Sequence, residues 1–343
     1  MFKKIGFCLI VLFSSLFLFS CATKVRVNMT RPAEIDLNGA ETIAVLPFKY
    51  DSYFSSLSYN SAYIVDELLM AFNRSGPDEK KVLAYIKTQL EDGLSSSPYI
   101  RLVSASAVQS ALKSNSLNPA DIYVTGQCTK FDVRDEKDIS KRKVRSNKVD
   151  KDGNPIYRYE LIEKFTRNVD FSFRYQVVDS SSSRILYTDS FSLNRSSNSF
   201  DNPKNLPDTY RIIQSGLSNQ INKILKKLQP YNYTKTIKLL ECKTKNESFK
   251  YAENLADDGY LKESYEAFRN LYENESIVEA GYNAAMLQMA MGNLYSAKNE
   301  MQDLYAVSQS EEILSALNDI KNEIRLSEKL KEQTQKSEVL DFD

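Results

Sequence analysis

The start of the chain, up to Cys21, decides how much of the sequence is available to build a folded protein. Lys3 and Lys4 precede an apolar stretch that runs from position 5 to position 19. A helix that stays in a membrane needs about 20 apolar residues, so this stretch is short for that purpose and is typical of a cleaved secretory signal. We therefore predict that residues 1–20 are a signal peptide and that the protein is exported.

The predicted signal ends in Leu18, Phe19, Ser20 and Cys21. This order resembles the lipobox of bacterial lipoproteins, in the relaxed form that spirochaetes use. The resemblance implies that the Cys21 thiol is acylated, with palmitate or a similar chain, and that Cys21 becomes the N-terminus. Each buried methylene contributes about 0.8 kcal/mol, so two or three acyl chains hold a protein at the membrane stably. A simple signal anchor followed by an incidental cysteine is the alternative.

The residue after Cys21 also bears on localisation. It is Ala22 rather than an aspartate. By resemblance to proteobacterial sorting rules, this implies a lipid-anchored protein of the bacterial cell envelope, in the outer membrane and facing the periplasm. The inner membrane stays open as an alternative, and so does the choice of leaflet.

Charge and composition restrict the partners and the chemistry. The chain has 45 basic and 45 acidic residues, and removal of residues 1–20 takes away two lysines and no acid, which leaves 43 against 45. This balance gives no support to nucleic-acid binding. The sequence has no histidine, so the commonest general base and the commonest metal ligand are both missing.

Two carboxylates are the remaining candidates for catalysis. Asp132 and Asp135 could act as a pair, but no nucleophile, glycine-rich loop or metal-ligand spacing accompanies them. We therefore predict no enzymatic activity, no cofactor, no metal and no small-molecule substrate. Beyond Cys21 the cysteines are Cys128 and Cys242. They could pair outside the cytoplasm, but their spacing does not require it, and two unpaired thiols are the favoured interpretation.

The exported chain, from position 21 to position 343, is long enough for two domains. We predict a lipidated tether at 21–41, an α/β domain at 42–230 and an all-α helical-repeat domain at 247–335. The tether is polar without a clear period, and it could reach roughly 60 Å at about 3.3 Å per residue. The predicted fold class is therefore mixed α and β: a mixed sheet packed with helices, followed by helices alone.

Residues 42–230 alternate between strand and helix patterns. Short apolar or alternating runs predict strands at 42–48, 99–103, 121–133, 156–178 and 184–193. Apolar stripes predict helices at 61–74, after Asp78, at 105–113 and at 208–228. Asp78 is the expected N-cap of the second helix, and residues 50–59 are expected to form a loop. Elements in this order fold as one sheet with helices packed on it.

Three segments of this region resemble one family of lipoproteins. They are IAVLPF from Ile43, ADIYVTG from Ala120, and FRYQVVD from Phe173, followed by RIL from Arg184. They are similar to strands of the curli-secretion channel lipoproteins and the penicillin-binding-protein activator lipoproteins (the CsgG-like family). The resemblance covers about residues 42–228 and implies an α/β domain whose last hairpin closes the sheet. This chain departs from the family in having four serines at 180–183, where a Thr-Gly turn is usual, and in a long charged insertion.

The resemblance implies a non-enzymatic role, since some members form oligomeric secretion pores and others stimulate a peptidoglycan synthase by contact. A membrane strand needs about 9–11 residues with an apolar outward face. Residues 156–178 are long enough, but their hairpin partner at 134–151 has 12 charged residues among 18. A charged side chain facing lipid near the midplane costs about 2–4 kcal/mol. We therefore predict a solvated hairpin and keep an oligomeric outer-membrane export channel of the curli type as the alternative function.

The last third of the chain contains an internal repeat. Gly259 is matched by Gly292, with an alanine seven residues before each glycine and a large apolar residue nine residues after it. The pattern resembles two divergent tetratricopeptide repeats, which cannot bury a continuous core unaided. The apolar stripe at 311–330 therefore predicts a capping helix, and a coiled-coil strand is the alternative.

Two surface features suggest contact with a partner. Most tyrosines of the repeat region are expected to pack in or beside the core, but some could line a peptide groove, and the candidates are Tyr265, Tyr272, Tyr295 and Tyr305. The basic run from Lys141 to Arg145 could meet phosphates or acidic lipids, although a solvated hairpin rim balanced by nearby acids is the favoured interpretation. We predict a non-enzymatic, lipid-anchored envelope protein that recruits another envelope protein or helps its assembly, with no prediction of oligomeric state.

Overall fold

The structure of the chain is a computed structural model, which describes residues 23–50, 63–73 and 76–334. The signal peptide, Cys21 and nearly all of the loop predicted at 50–59 lie outside these ranges. The chain divides into two compact units. Within the described ranges, we call residues 23–32 with 231–332 the ribbon–helix unit, and residues 33–230 with 333–334 the sheet unit.

The described ranges contain strands and helices, numbered here in chain order. The strands are β1 (Lys24–Arg31), β2 (Thr42–Val45), β3 (Lys49–Tyr50), β4 (Arg101–Val103), β5 (Ile122–Val149), β6 (Pro155–Asp179), β7 (Ile185–Ser196) and β8 (Tyr231–Lys238). The helices are α1 (Ile64–Asn73), α2 (Pro77–Ser95), α3 (Ala105–Lys113), α4 (Thr209–Leu228), α5 (Glu247–Asp257), α6 (Leu261–Glu275), α7 (Val278–Ala290), α8 (Leu294–Ser308) and α9 (Glu311–Thr334). The predicted mixture of strands and helices is confirmed.

The sheet unit is built on one mixed sheet with the strand order β4-β2-β5-β6-β7, and β3 also pairs with β5. β2 runs parallel to β4 and β5, whereas β5, β6 and β7 are successively antiparallel. Helices α2 and α4 share one hydrophobic core with the sheet, through residues such as Ile86 and Leu217. Helices α1 and α3 share a second core with it, through residues such as Leu68 and Val108. Each apolar stripe is thereby removed from water against the sheet.

Asp121 joins the starts of β2 and β5. Its Oδ2 accepts hydrogen bonds from the backbone N–H of Thr42 at 2.9 Å and of Glu41 at 3.0 Å. The hydroxyl of Thr42 donates to the same carboxylate oxygen at 2.7 Å and accepts from the Asp121 N–H at 2.9 Å. Asp121, which belongs to the ADIYVTG segment, therefore aligns the parallel strands β2 and β5 through these hydrogen bonds.

The β5–β6 hairpin extends into the charged residues. The two strands pair from Ile122↔Asp179 out to Val149↔Pro155, so the strand predicted at 121–133 and the hairpin partner predicted at 134–151 form one strand. A turn at 150–155 closes the hairpin: Gly153 has a φ of +81°, and the Asp150 carboxylate accepts from the N–H of Asn154 at 2.8 Å. The charged insertion is thus a continuation of both strands.

The turn between β6 and β7 contains serines instead of the usual glycine, and hydrogen bonds to Asp179 hold it. The Asp179 carboxylate accepts from the backbone N–H groups of Ser182 at 2.8 Å and Ser181 at 3.0 Å. These bonds, together with those from the two serine hydroxyls, lower the pKa of the Asp179 carboxyl to about 2. Ser183 has a φ of +57°, a left-handed conformation that favours glycine, and its hydroxyl oxygen is buried without a hydrogen-bond partner.

One predicted helix cap is wrong. α2 starts after Gly76, with Pro77 at its first position, because the fixed φ of proline suits the first turn and its missing N–H costs nothing there. Asp78 instead lies within the first turn and accepts a hydrogen bond from the Thr209 hydroxyl at 2.8 Å. Asp208, at the other helix start, does cap α4 by accepting from the N–H of Tyr210 at 3.2 Å.

The predicted tether at 21–41 is wrong for residues 24–31, which belong to the folded protein. Residues 24–31 form β1, which pairs antiparallel with β8 from Lys24↔Lys238 to Arg31↔Tyr231. Val25 and Ile237 lie in the hydrophobic core of the ribbon–helix unit, because alternate side chains of each strand face the helices. The polar composition of this segment reflects its other, solvent-facing side.

Helices α5–α9 complete the ribbon–helix unit. Gly259 and Gly292 have φ values of +86° and +84° in the turns that follow α5 and α7. The equivalent pairs of the internal repeat are all fully buried: Ala252 with Ala285, and Phe268 with Met301. α9 adds Ile313, Leu317 and Ile320 to the same core. Membership of the tetratricopeptide class stays a prediction.

An ion network inside this unit connects β1 and β8 to α9. Glu323 is 2% exposed, and its carboxylate accepts hydrogen bonds from Arg31 Nη2 at 2.8 Å and from Lys235 Nζ at 2.7 Å. The Arg31 guanidinium also lies 4.7 Å from the centre of the Tyr233 ring. Burial alone would raise the pKa of the Glu323 carboxyl, but hydrogen bonds from Arg31 and Lys235 outweigh burial and lower the pKa.

We predict that Glu323→Gln destabilises the ribbon–helix unit by about 3 kcal/mol, because two largely buried cations lose the charge of the carboxylate that they share, and Lys235 keeps only its longer ion pair with Asp319 at 3.8 Å. Urea unfolding of the full chain measures this, with the exposed Glu312→Gln on the same helix as the control; loss of its helix-dipole contribution costs about 1 kcal/mol or less. Because the folded-state pKa of Glu323 is lowered, its stabilisation is complete above the ordinary value of 4.5 and is lost as pH falls through the folded-state pKa. The two proteins should therefore converge in stability in acid, and a constant difference would contradict this assignment.

We predict that Ser183→Gly stabilises the sheet unit by about 0.5–1 kcal/mol or slightly more. Glycine adopts the left-handed conformation without steric cost, and the change also removes a buried hydroxyl without a partner. Thermal unfolding of the full chain measures the shift. Ser181→Gly is the matched control, since it should lower stability by removing a hydroxyl that donates to Asp179 at 2.7 Å.

Candidate functional site

The outer part of the β5–β6 hairpin extends beyond the rest of the sheet. β7 pairs with β6 only as far as Asn168↔Ser196, and an isolated bridge joins Phe165 to Phe200. From Pro155 to Lys164, no strand of the described ranges pairs with the outer edge of β6. We call residues 134–167 the arm.

The pairing register sorts the side chains of the arm onto two faces, because residues directly opposite each other point the same way. One face, here the tyrosine face, carries Lys143 opposite Tyr159, and Arg145 opposite Tyr157. It continues toward the sheet with three more opposed pairs: Lys141 with Leu161, Ile139 with Glu163, and Lys137 with Phe165. The ammonium group of Lys143 lies 4.5 Å from the centre of the Tyr157 ring, which is a cation–π contact.

The tyrosine face exposes an unusual amount of apolar surface. Tyr159 is 68% exposed, Leu161 70% and Ile139 60%. Single exposed apolar residues are ordinary, but several that are contiguous on one face are typical of interaction sites. The same face carries four cations, and Glu163 is its one acid between residues 137 and 165.

The opposite face of the arm is ionic. Arg142 lies opposite Glu160, and Asp138 lies opposite Lys164. Arg158 forms an ion pair with Glu160 at 2.7 Å. The predicted basic run from Lys141 to Arg145 is therefore not one cluster, since alternation along the strand puts Arg142 on the ionic face and its basic neighbours on the tyrosine face.

The base of the arm is held by ion pairs. The Arg167 guanidinium donates two hydrogen bonds of 2.7 Å to the Asp135 carboxylate and one of 3.1 Å to the Pro207 carbonyl. The hydrogen bonds from Arg167 lower the pKa of the Asp135 carboxyl. Asp132 instead pairs with Arg134 at 3.1 Å, and it faces the other side of β5. The structure thus separates the two candidate catalytic carboxylates.

The described ranges also bear on metal sites and on membrane-spanning helices. Among residues 23–50, 63–73 and 76–334, no group of three or more cysteine, aspartate and glutamate side chains is arranged to hold a metal ion. No helix in these ranges has the length and apolar character needed to cross a membrane.

The two cysteines of the described chain are both unpaired, as the sequence favoured. Cys128 is 2% exposed, and its thiol donates to the Lys130 carbonyl at 3.2 Å. Burial raises the pKa of the Cys128 thiol to about 12. Cys242 is half-buried in the ribbon–helix unit.

The four candidate groove tyrosines occupy different environments. Tyr265 is nearly buried, and its hydroxyl donates to Glu300 at 2.8 Å. Tyr272 and Tyr305 are half-buried beside the core of the ribbon–helix unit. Tyr295 is 58% exposed and donates to Glu328 at 2.7 Å. Their role as a peptide groove stays a prediction, and Tyr295 alone of the four presents most of its ring to solvent.

A backbone clamp on α7 has no counterpart in the sequence predictions. Asn283 is fully buried; its side-chain oxygen accepts from the Leu240 N–H at 2.7 Å, and its amide donates to the Leu240 carbonyl at 2.8 Å. Both bonds hold the extended segment after β8 against the helix. The sequence shows Asn283 as a polar residue within the apolar pattern of α7. That pattern does not indicate that its partner is Leu240, 43 residues earlier.

Comparisons with known proteins found likenesses among solved structures alone. No protein-family model matches the chain, and no curated protein sequence matches it. Among solved structures, a PelC dodecamer variant from Paraburkholderia phytofirmans aligns over 60% of this chain and 98% of its own, at 11% identity and a TM-score of 0.25. Lipoprotein GNA1162 from Neisseria meningitidis aligns over 53% and 98%, at 12% identity and a TM-score of 0.21. A neuraminyllactose-binding hemagglutinin homolog from Helicobacter pylori aligns over 57% and 89%, at 12% identity and a TM-score of 0.26.

One of these neighbours is a bacterial lipoprotein. At TM-scores of 0.21 to 0.26 the likeness implies no shared activity. The resemblance to the curli-channel family and to tetratricopeptide repeats is therefore carried by the sequence motifs alone.

Proposed function

We propose that this chain is a lipid-anchored protein of the bacterial cell envelope that acts without catalysis, by binding another envelope protein through the tyrosine face of its arm. The observation that carries the proposal is the contiguous exposed apolar surface of Tyr157, Tyr159, Leu161 and Ile139. Outer-membrane attachment through Cys21, facing the periplasm, is part of the same proposal.

The chemistry of the tyrosine face indicates the kind of partner. Tyrosine and arginine are enriched at protein interfaces, where their large side chains combine apolar contact with hydrogen bonding. Four cations against one acid on this face favour a partner surface that is acidic, because opposite potentials steer association and fix its orientation. The unpaired outer edge of β6 could also accept a strand from that partner.

The arm already has a regular backbone structure in the protein alone. It is a continuous two-stranded ladder, and the Asp135–Arg167 pair fixes its base with two hydrogen bonds of 2.7 Å. A preformed surface loses less conformational entropy on binding than a flexible loop would. The arm can therefore present Tyr159 and Leu161 without folding on contact.

The alternative function, an oligomeric export channel of the curli type, is less well supported. A strand pair in a membrane needs one face without charges. Here the tyrosine face carries Lys141, Lys143 and Arg145, and the ionic face carries Arg142, Arg158 and Glu160. Each such charge near the membrane midplane would cost about 2–4 kcal/mol, whichever face met the lipid.

We predict that a photo-reactive benzoylphenylalanine in place of Tyr159 cross-links to one discrete envelope protein in cells. The same residue in place of Arg158, on the ionic face, is the matched control and should give no such adduct. Adding Leu161→Ser should reduce the adduct at least about tenfold, since burying a leucine is worth about 1.5–3 kcal/mol; the exposed Leu117→Ser should leave it unchanged. Equal adducts from both faces would contradict the proposal, and an adduct of twice the chain's own mass would favour the oligomeric channel.

We predict that labelled palmitate enters the cellular protein and that Cys21→Ser abolishes the label and releases the processed chain from the membrane fraction. The physical reason is that the acyl chains supply the binding free energy. Cys242→Ser is the control and should keep both label and attachment. A Cys21→Ser protein that is cleaved from its signal and still sediments with membranes would contradict the anchor.

A further inference from the structure

All the charged side chains of the ribbon formed by β1 and β8 are positive. The two strands contain five cationic residues and no aspartate or glutamate. The cations are Lys24, Arg26, Arg31, Lys235 and Lys238. Because side chains alternate along each strand, the ribbon divides these charges between an inward face toward the helices and an outward face toward solvent.

The inward cations have a counter-charge. Arg31 and Lys235 are 13% and 16% exposed, and both bind the Glu323 carboxylate. This is the arrangement expected when charge is removed from water, since a buried cation without an anion is strongly destabilising.

The outward cations have no counter-charge within the described part of the chain. Lys24, Arg26 and Lys238 are exposed, and no ion pair joins any of them to a carboxylate within the described ranges. The rest of the outward face is uncharged: Asn28, Thr30, Asn232, Thr234 and Thr236. One side of the ribbon therefore presents three positive charges among uncharged polar side chains.

The placement of two of these charges is unfavourable in the protein alone. Lys24 lies directly opposite Lys238 in the pairing register, and like charges in opposed positions destabilise a strand pair. An anion between or above the two ammonium groups would remove this repulsion. The register thus indicates a ligand of negative charge for this end of the ribbon.

The same end of the ribbon is the one nearest the predicted acylation site. The ladder continues to Thr23, whose carbonyl accepts from the Leu239 N–H at 3.0 Å. Cys21 precedes Thr23 by two residues, a span of at most about 7 Å. Lys24, one residue further on, is therefore at most about 11 Å from Cys21, which is close to the range of about 8–10 Å over which a charged surface acts at physiological ionic strength.

We propose that Lys24, Arg26 and Lys238 bind the headgroups of anionic phospholipids, as a second attachment beside the acyl chains of Cys21. The inference rests on the proposed lipid anchor for its location. Each lysine or arginine near an anionic surface contributes about 1 kcal/mol, and a lipid chain with a basic patch is a more stable attachment than either alone. The uncharged threonines and asparagines of the ribbon would lie flat against the same surface.

The test uses the full chain, purified in detergent and reconstituted into vesicles of phosphatidylcholine alone or with phosphatidylglycerol. A water-soluble amine-acylating reagent is applied, and the modification rate of each lysine is read by mass spectrometry. Lys24 and Lys238 should react about fivefold more slowly in the vesicles with phosphatidylglycerol, and added salt at about 0.5 M should restore the rate, since it screens exposed charges. Lys262, exposed on α6, is the internal control and should react equally in both.

A second measurement separates binding from mere proximity. Phosphatidylglycerol vesicles should raise the unfolding temperature of the wild-type chain relative to phosphatidylcholine vesicles, because a ligand of the folded state stabilises it. The double variant Lys24→Gln with Lys238→Gln should lose that shift, whereas Lys262→Gln should keep it. Equal lysine rates in both kinds of vesicle, or a shift that survives in the double variant, would overturn the proposal.

The anchor and the patch can fail separately. A chain that takes up no palmitate in cells but shows lipid-dependent protection of Lys24 and Lys238 would remove the anchor and keep the patch. An acylated chain whose lysines are protected only when an acidic soluble protein is added would show that the patch binds protein, and would overturn the lipid assignment.

Discussion

The antiparallel ladder between β5 and β6 is the interaction on which the sheet unit depends. Its inner half carries the buried side chains of the sheet, such as Val124 and Phe173, between helices on both faces. Its outer half is the arm, where the same register leaves Tyr159 and Leu161 in solvent. One continuous pair of strands thus supplies both the core and the proposed binding surface, and a shift of one residue in register would exchange the faces of both.

Much of the sheet unit could be predicted because its signals are local. Apolar runs and helical stripes indicated the order of β2, α1, α2, β4, α3, β5, β6, β7 and α4, and this order is confirmed. The joining of residues 121–133 and 134–149 into one uninterrupted strand could not be predicted in the same way. Residues 134–149 are mostly charged, and they form a strand here because β6 lies alongside and supplies hydrogen-bond partners. Strand preference depends on such neighbours, which a single sequence does not record.

The ribbon was missed for a related reason. Val25, Val27 and Met29 alternate with polar residues in β1, so a period of two was present and was obscured by the polar content of the segment. The partner strand, β8, begins only at Tyr231, which follows every strand of the sheet in the sequence. No local sequence pattern therefore indicates that β1 pairs with β8. The cations of the ribbon could be read from the sequence, but their division into a neutralised inward pair and an unneutralised outward group depends on Glu323 and on the register.

The pairing of Arg31 with Glu323 across 292 positions has a consequence for the order in which the protein acquires its structure. The ribosome makes β1 before β8 and α9, so β1 has neither its strand partner nor that helix until residues Ala33–Pro230 have been made. The residues from Ala33 to Pro230 lie within one unit and face no such delay. Contacts between residues far apart in the sequence form slowly, because closing the long intervening loop costs conformational entropy before the contacts add stability. Until then β1 is an unpaired strand with an open edge, and open edges invite pairing with the wrong chain. The cations at positions 24 and 26 would oppose such pairing between copies, since two of these strands repel one another.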